Sequence, residues 1–114
     1  MGNKTSRFAF RINKTLKYNF DEFCKNTGLS SSTAINIFVR RSIDTNTIPF
    51  AIETKNLLNL QSKEEMNSQI NVRMEPDARE QFKKICEKIG IPMSVVVKMF
   101  MVSCIENNSF PFDL

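Results

Sequence analysis

The chain has 114 residues, of which 41% are hydrophobic and 25% are charged, so it should fold as one small domain or as two very small ones. It contains no histidine, which excludes Ser–His and Cys–His nucleophile pairs and the usual zinc sites. Three cysteines without a disulfide-like spacing favour a reducing, cytoplasmic location, and the net charge of +4 favours acidic partners.

No cluster of acid, base or nucleophile groups stands out in the sequence, so we expect a protein that is not an enzyme and that uses no metal or other cofactor. The most apolar run covers residues 89–105. Pro92 interrupts it, Lys98 lies in its middle, and it is barely long enough to cross a bilayer. We therefore expect no membrane segment.

The first predicted element is a strand at residues 7–12, where polar and apolar side chains alternate. A helix follows and ends at Gly28, a residue that favours helix termination. The apolar face of this helix consists of Leu16, Phe20 and Phe23. A second helix should begin near Ser30–Ser32, which suit the N-cap position, and run to about Asn46. Residues 53–67 are mostly polar and are predicted to be a tether.

The same three elements then recur. A second alternating strand lies at residues 69–74, and a helix should begin at Pro76 and end at Gly90. Its predicted apolar face consists of Ala78, Phe82, Ile85 and Ile89. In the last helix Pro92 stands where the first copy has a serine, so Ser94 is expected to serve as a substitute N-cap.

The last helix, residues 94–106, is apolar on nearly all sides. A helix of this kind is usually buried on more than one side. We therefore expect that the tether covers it, or that a second molecule does through further self-association.

The two copies align without a gap when the sequence is shifted by 62 positions, and 11 of the 47 aligned pairs are identical. A single strand would leave its backbone groups unpaired, whereas two copies can pair their strands. The predicted fold is therefore mainly α: a pseudo-dimer with one two-stranded antiparallel β-ribbon backed by four helices. Repeats at residues 1–52 and 68–114, joined by 53–67, would form one intertwined domain.

One face of this ribbon should point to solvent, and its side chains suit the reading of DNA bases. The six outward residues would be Arg7, Ala9, Arg11, Gln69, Asn71 and Arg73. Arginine can donate two hydrogen bonds to guanine, and Asn or Gln can pair with adenine, in a major groove that admits a two-stranded ribbon. The alternative is an ordinary solvated strand face, on which the same residue types are common.

The second copy resembles the RelB/DinJ-type antitoxins of the ribbon-helix-helix superfamily. The similarity rests on the strand and acidic turn INVRMEPD, on Pro92-Met93-Ser94 at the start of the last helix, and on the tail Pro111-Phe112, which Pro49-Phe50 matches in the first copy. The triplet Gln69, Asn71 and Arg73 also has the residue types with which Arc-type repressors of that superfamily read bases.

The resemblance implies that the first turns of the second helices hold DNA phosphates through backbone N–H groups. The residues concerned are Ser31, Ser32, Thr33, Met93, Ser94 and Val95. The serines can equally act as helix caps.

These patterns predict a DNA-binding transcriptional regulator. Because the two strands carry different residues, its preferred site should be asymmetric, G-rich on one side and mixed on the other. Its partner would be double-stranded DNA. The alternative is an antitoxin-like or assembly protein that binds a protein partner, such as a toxin, in place of DNA.

Overall fold

A computed structural model describes residues 6–49 and 66–112. In chain order the described elements are strand β1 (Ser6–Ile12), helices α1 (Lys14–Thr27) and α2 (Ser31–Thr45), strand β2 (Ser68–Met74), and helices α3 (Pro76–Ile89) and α4 (Met93–Asn107). The β-α-α arrangement therefore occurs twice, as the repeat predicts.

Strands β1 and β2 pair with each other in antiparallel orientation and form a two-stranded ribbon. Ala9 pairs with Asn71, and these two residues are also equivalent in the repeat. A pseudo-twofold axis therefore passes between them. Every second residue of each strand is buried, which gives the ribbon one face on the core and one face on solvent. The inward residues are Phe8, Phe10, Ile12, Ile70, Val72 and Met74.

The four described helices end in the same way, with one residue in the left-handed conformation. Gly28 and Gly90 have φ of 84° and 78°, and Asn46 and Asn108 take the equivalent positions after α2 and α4. In each case the next residue donates its N–H to a carbonyl five positions back, for example Ile91 to Cys86. This is the Schellman arrangement, in which glycine and asparagine tolerate the positive φ best.

The helix starts are less alike. Asn13 and Ser30 accept hydrogen bonds from backbone N–H groups of the first turn of α1 and α2. The N-caps of α3 and α4 make no side-chain bond of this kind. The prediction that Ser94 caps α4 was wrong. Ser94 lies inside the first turn, after Met93, and the Pro92 carbonyl accepts the Val95 and Val96 N–H groups.

Ser30→Ala is expected to lower the free energy of unfolding by about 0.5–2 kcal/mol, because the N–H of Thr33 then loses the Ser30 hydroxyl 3.1 Å away. Ser32→Ala is the matched control, since it makes the same change in the same exposed turn without removing a cap. Urea unfolding of both variants checks the difference. Equal stability of the two would contradict the capping role.

A quartet of phenylalanines at the centre of the core shows the pseudo-twofold axis most directly. Phe38 of α2 and Phe100 of α4 are equivalent in the repeat, and their rings stack at 4.4 Å with 8° between their planes. Phe20 meets Phe100 edge-on at 5.8 Å, and Phe82 meets Phe38 in the same way at the same distance. One continuous core thus contains residues of both copies, with the larger share from the second.

Two further predictions about burial need correction or qualification. Ile89 does not complete the apolar face of α3, since it is 39% exposed; the helix ends there and Ile91, beyond Gly90, is buried instead.

Helix α4 is buried within the chain, so it offers no exposed apolar face for a second molecule. Its buried residues are Val95, Val96, Val97, Lys98, Met99, Phe100, Met101 and Cys104. The predicted tether lies outside the described residues except for Met66 and Asn67.

Among the described residues, no single helix combines the length and the apolar character that crossing a membrane requires. Helices α3 and α4 meet this requirement only as a pair, and they are bent by 89° relative to each other. All three cysteines are buried and free, as their positions on apolar helix faces predict.

Candidate nucleic-acid interface

The outer face of the ribbon carries the six residues that the sequence places there, and all six are exposed. Their neighbours across the ribbon follow from the register. Arg7 lies opposite Arg73, Ala9 opposite Asn71, and Arg11 opposite Gln69. The Gln69 Nε2 atom donates to Asn71 Oδ1 at 3.2 Å, so these two amides lie along the same strand within contact of each other.

The ribbon presents these side chains on a well-supported backbone. Its inward residues are at most 7% exposed, and they hold the two strands against the helices. Asn36 of α2 adds a direct link, because its Nδ2 atom donates to the Arg73 carbonyl at 2.9 Å. The outward side chains therefore project from a platform whose position the core determines.

The end of the ribbon that carries Arg7 and Arg73 concentrates positive charge. Like charges directly opposite each other weaken a strand pair. Neither guanidinium has an ion-pair partner among residues 6–49 and 66–112. This end therefore provides two cationic groups that can each donate two parallel hydrogen bonds.

At the other end, the segment that leads into β2 contacts Arg11. The Arg11 guanidinium donates to the Met66 carbonyl at 2.9 Å, and the Lys14 N–H donates to Asn67 Oδ1 at 3.0 Å. Local sequence patterns do not reveal this contact, because it joins residues more than fifty positions apart. Arg11 thus has one of its donors engaged within the chain.

Lys98 lies beneath the same end of the ribbon. It is 5% exposed, its Nζ atom is 3.6 Å from the Met66 sulfur, and it lies over the Phe10 ring at 5.9 Å from the centroid. Burial lowers the pKa of its ammonium group. Its counterpart in the first copy is Asn36, so the two ends of the ribbon are supported by different chemistry.

Three residues were predicted to hold phosphate at the start of α2: Ser31, Ser32 and Thr33. The Thr33 N–H is already bonded to the Ser30 hydroxyl, which leaves the Ser31 and Ser32 N–H groups at the helix start. The Ser31 hydroxyl donates to the carboxylate of Asp21. A negative charge at this position opposes phosphate binding.

The start of α4 has charges of both signs near it. Met93 and Ser94 line a groove of about 330 Å³ together with Lys83 and Glu87, and this groove borders β1. Val95 is buried, and its N–H bonds to the Pro92 carbonyl. Lys83 is the repeat counterpart of Asp21. Neither residue was among the predicted phosphate contacts, although the alignment of the copies places a carboxylate opposite an ammonium group.

In the part of the chain that the structure describes, no group of three or more His, Cys, Asp or Glu side chains could hold a metal ion. Burial raises the pKa of the Cys24 thiol to about 11 and that of the Cys86 and Cys104 thiols to about 12. These thiols stay protonated near neutral pH and are poor nucleophiles. They act as packing groups.

The fold and the exposed ribbon define the class: a tandem ribbon-helix-helix protein with both units in one chain. The comparison with protein families agrees. The model of the RelB antitoxin family matches the sequence twice, at residues 5–68 and at residues 66–114. The chain therefore belongs to the RelB antitoxin family, which is not a family of enzymes, and an antitoxin-type or regulatory function follows from that membership. No curated protein and no solved structure gives a significant match.

Proposed function

We propose that this protein is a DNA-binding transcriptional regulator that reads the major groove with its β-ribbon. The observation that supports this most strongly is the outer ribbon face, where five of the six exposed residues carry guanidinium or amide groups. A two-stranded ribbon fits the major groove, and these groups match the hydrogen-bonding edges of guanine and adenine. The partner would be double-stranded DNA in the cytoplasm.

Backbone N–H groups at two helix starts would supply affinity without reading sequence. The N–H groups of Ser31, Ser32, Met93 and Ser94 stand where anions are favoured. The carboxylate of Asp21 opposes an anion at the first pair, and Lys83 and Glu87 both lie near the second. Contacts of this type fix the position of a protein on the duplex, whereas the ribbon would select the bases.

Arg73→Ala is expected to weaken binding to a preferred duplex by about 1–3 kcal/mol and to relax discrimination at one base position. The measurement is fluorescence anisotropy with duplexes obtained by binding-site selection, at several salt concentrations. Wild-type affinity should fall steeply with salt, because phosphate contacts release counterions.

Lys84→Ala is the charge-matched control, since Lys84 is exposed in a groove beside Ile43 and Asn46 at the far end of α2 from the ribbon. It should leave base discrimination unchanged. An Arg73→Ala variant that loses affinity equally on all sequences would indicate a phosphate contact and contradict base reading.

A second candidate function is supported by the family itself, whose name describes antitoxins. In that case the chain would bind a protein toxin. Ala9 fits this alternative, because at the centre of the ribbon it offers no hydrogen-bonding side chain. Absence of salt-dependent DNA binding, together with a stable complex with a toxin encoded beside it, would favour this function over the first.

A further inference from the structure

We infer that the ribbon binds a non-palindromic DNA site in a single orientation, with the guanine-rich end of the site at Arg7 and Arg73. This inference rests on the proposed function and specifies its ligand. It follows from the arrangement of the six outward side chains about the pseudo-twofold axis. The axis relates the two strands to each other, but it does not relate the outward side chains of one strand to identical side chains on the other.

A symmetric ribbon presents the same side chains at both of its ends. Here the axis passes between Ala9 and Asn71, so the central pair already joins a methyl group to an amide. Of the two outer pairs, one consists of Arg7 and Arg73, and the other of Arg11 and Gln69. Rotation about the axis exchanges these pairs, and it therefore replaces one arginine with a glutamine.

The two ends consequently recognise different bases. Two arginines side by side can each bind the O6 and N7 atoms of a guanine. The opposite end offers one arginine, part of which already donates to the Met66 carbonyl, and a glutamine that suits adenine. If the duplex bound in the opposite orientation, an adenine would face the two arginines, which prefer guanine.

The test is binding-site selection from duplexes randomised over about one helical turn, with the full chain and two variants. In R7Q/A9N both strands carry Gln, Asn and Arg, and in Q69R/N71A both carry Arg, Ala and Arg. The wild type should select a non-palindromic motif and prefer it about tenfold over a palindrome built from either half. Each variant should select a palindrome, and the two palindromes should differ.

All four substituted positions are exposed, so the variants should fold, and circular dichroism checks this. Lys84→Gln is the control and should select the wild-type motif. A palindromic wild-type motif bound by one chain per duplex, as the measured stoichiometry shows, would overturn the inference and leave the proposed function intact. Failure of the wild type and both variants to select any motif would overturn the proposed function, and the inference with it.

Discussion

Replacing Phe100 with alanine is expected to lower the free energy of unfolding by about 3–5 kcal/mol, a large share of the roughly 5–15 kcal/mol that stabilises a typical domain. Phe100 is fully buried and stacks on Phe38 across the pseudo-twofold axis. It also contacts Phe110 and Phe112 near the end of the chain, at 6.3 and 5.9 Å between ring centroids. Truncation would therefore open a cavity where the two copies meet.

Tyr18→Ala is the control for loss of an aromatic ring, because Tyr18 is 62% exposed and its truncation should change stability by no more than about 0.5 kcal/mol. Phe38→Ala tests the same stack from the other copy. Urea unfolding of the two single variants and the double variant should give a coupling energy of about 0.5–1.5 kcal/mol. Strict additivity, or a cost for Phe100→Ala as small as that for Tyr18→Ala, would contradict this view of the core.

Raising the pH from 8 to 10 is expected to remove about 4 kcal/mol of stability through the three buried thiols. In the folded chain their pKa values lie at about 11 for Cys24 and about 12 for Cys86 and Cys104, compared with the ordinary value of 9.0. Between pH 9 and about 10 the folded thiols keep nearly all of their protons while the unfolded thiols lose theirs. Each thiol then costs about 1.4 kcal/mol per pH unit, and stability is complete only below pH 9.

Lys98 acts in the opposite direction. Because burial lowers its pKa, the unfolded chain holds that proton more tightly, and stability gains as pH rises toward 10.5. One lysine offsets part of the contribution of three thiols, so the net effect of alkaline pH remains a loss of stability.

Denaturant unfolding between pH 7.5 and 10.5, with a reductant that contains no thiol, measures this dependence. Cys86→Ala isolates one group: although its stability at pH 7.5 changes through packing, its loss of stability per pH unit above pH 9 should be smaller than that of the wild type by about 1.4 kcal/mol. An unchanged pH dependence in this variant would show that Cys86 does not titrate as the burial of its thiol requires.

The elements themselves could be predicted closely from the sequence, because each has a local signal. Alternation at residues 7–12 and 69–74 gave both strands, and Gly28 and Gly90 gave the ends of two helices. Two predictions failed near helix ends, where residue spacing alone does not show which positions are buried or which residue caps the helix. Ile89 has the correct spacing for the buried face, yet it is the last residue of α3 and is exposed. Ser94 lies two residues beyond Pro92, which takes the N-cap position of α4.

The sequence predicted which residues lie on the candidate interface, but it did not predict which of them lie next to each other. Alternation places Arg7, Ala9 and Arg11 outward whatever their partners are. The side-by-side position of Arg7 and Arg73 depends on the strand register, and the bond from Arg11 to Met66 depends on where the chain enters β2. The contact of Ser31 with Asp21 likewise depends on the packing of α2 against α1.

The sequence by itself therefore determined that two copies of one β-α-α unit exist and which face of each element is apolar. These properties follow from residue types at short, regular spacings. Only the tertiary structure decided which charged side chains lie next to each other at each end of the ribbon, and which of them already form hydrogen bonds within the chain. The physical reason is that strand register and side-chain contacts depend on residues distant in sequence. The two copies share the same order of elements there but differ in their side chains.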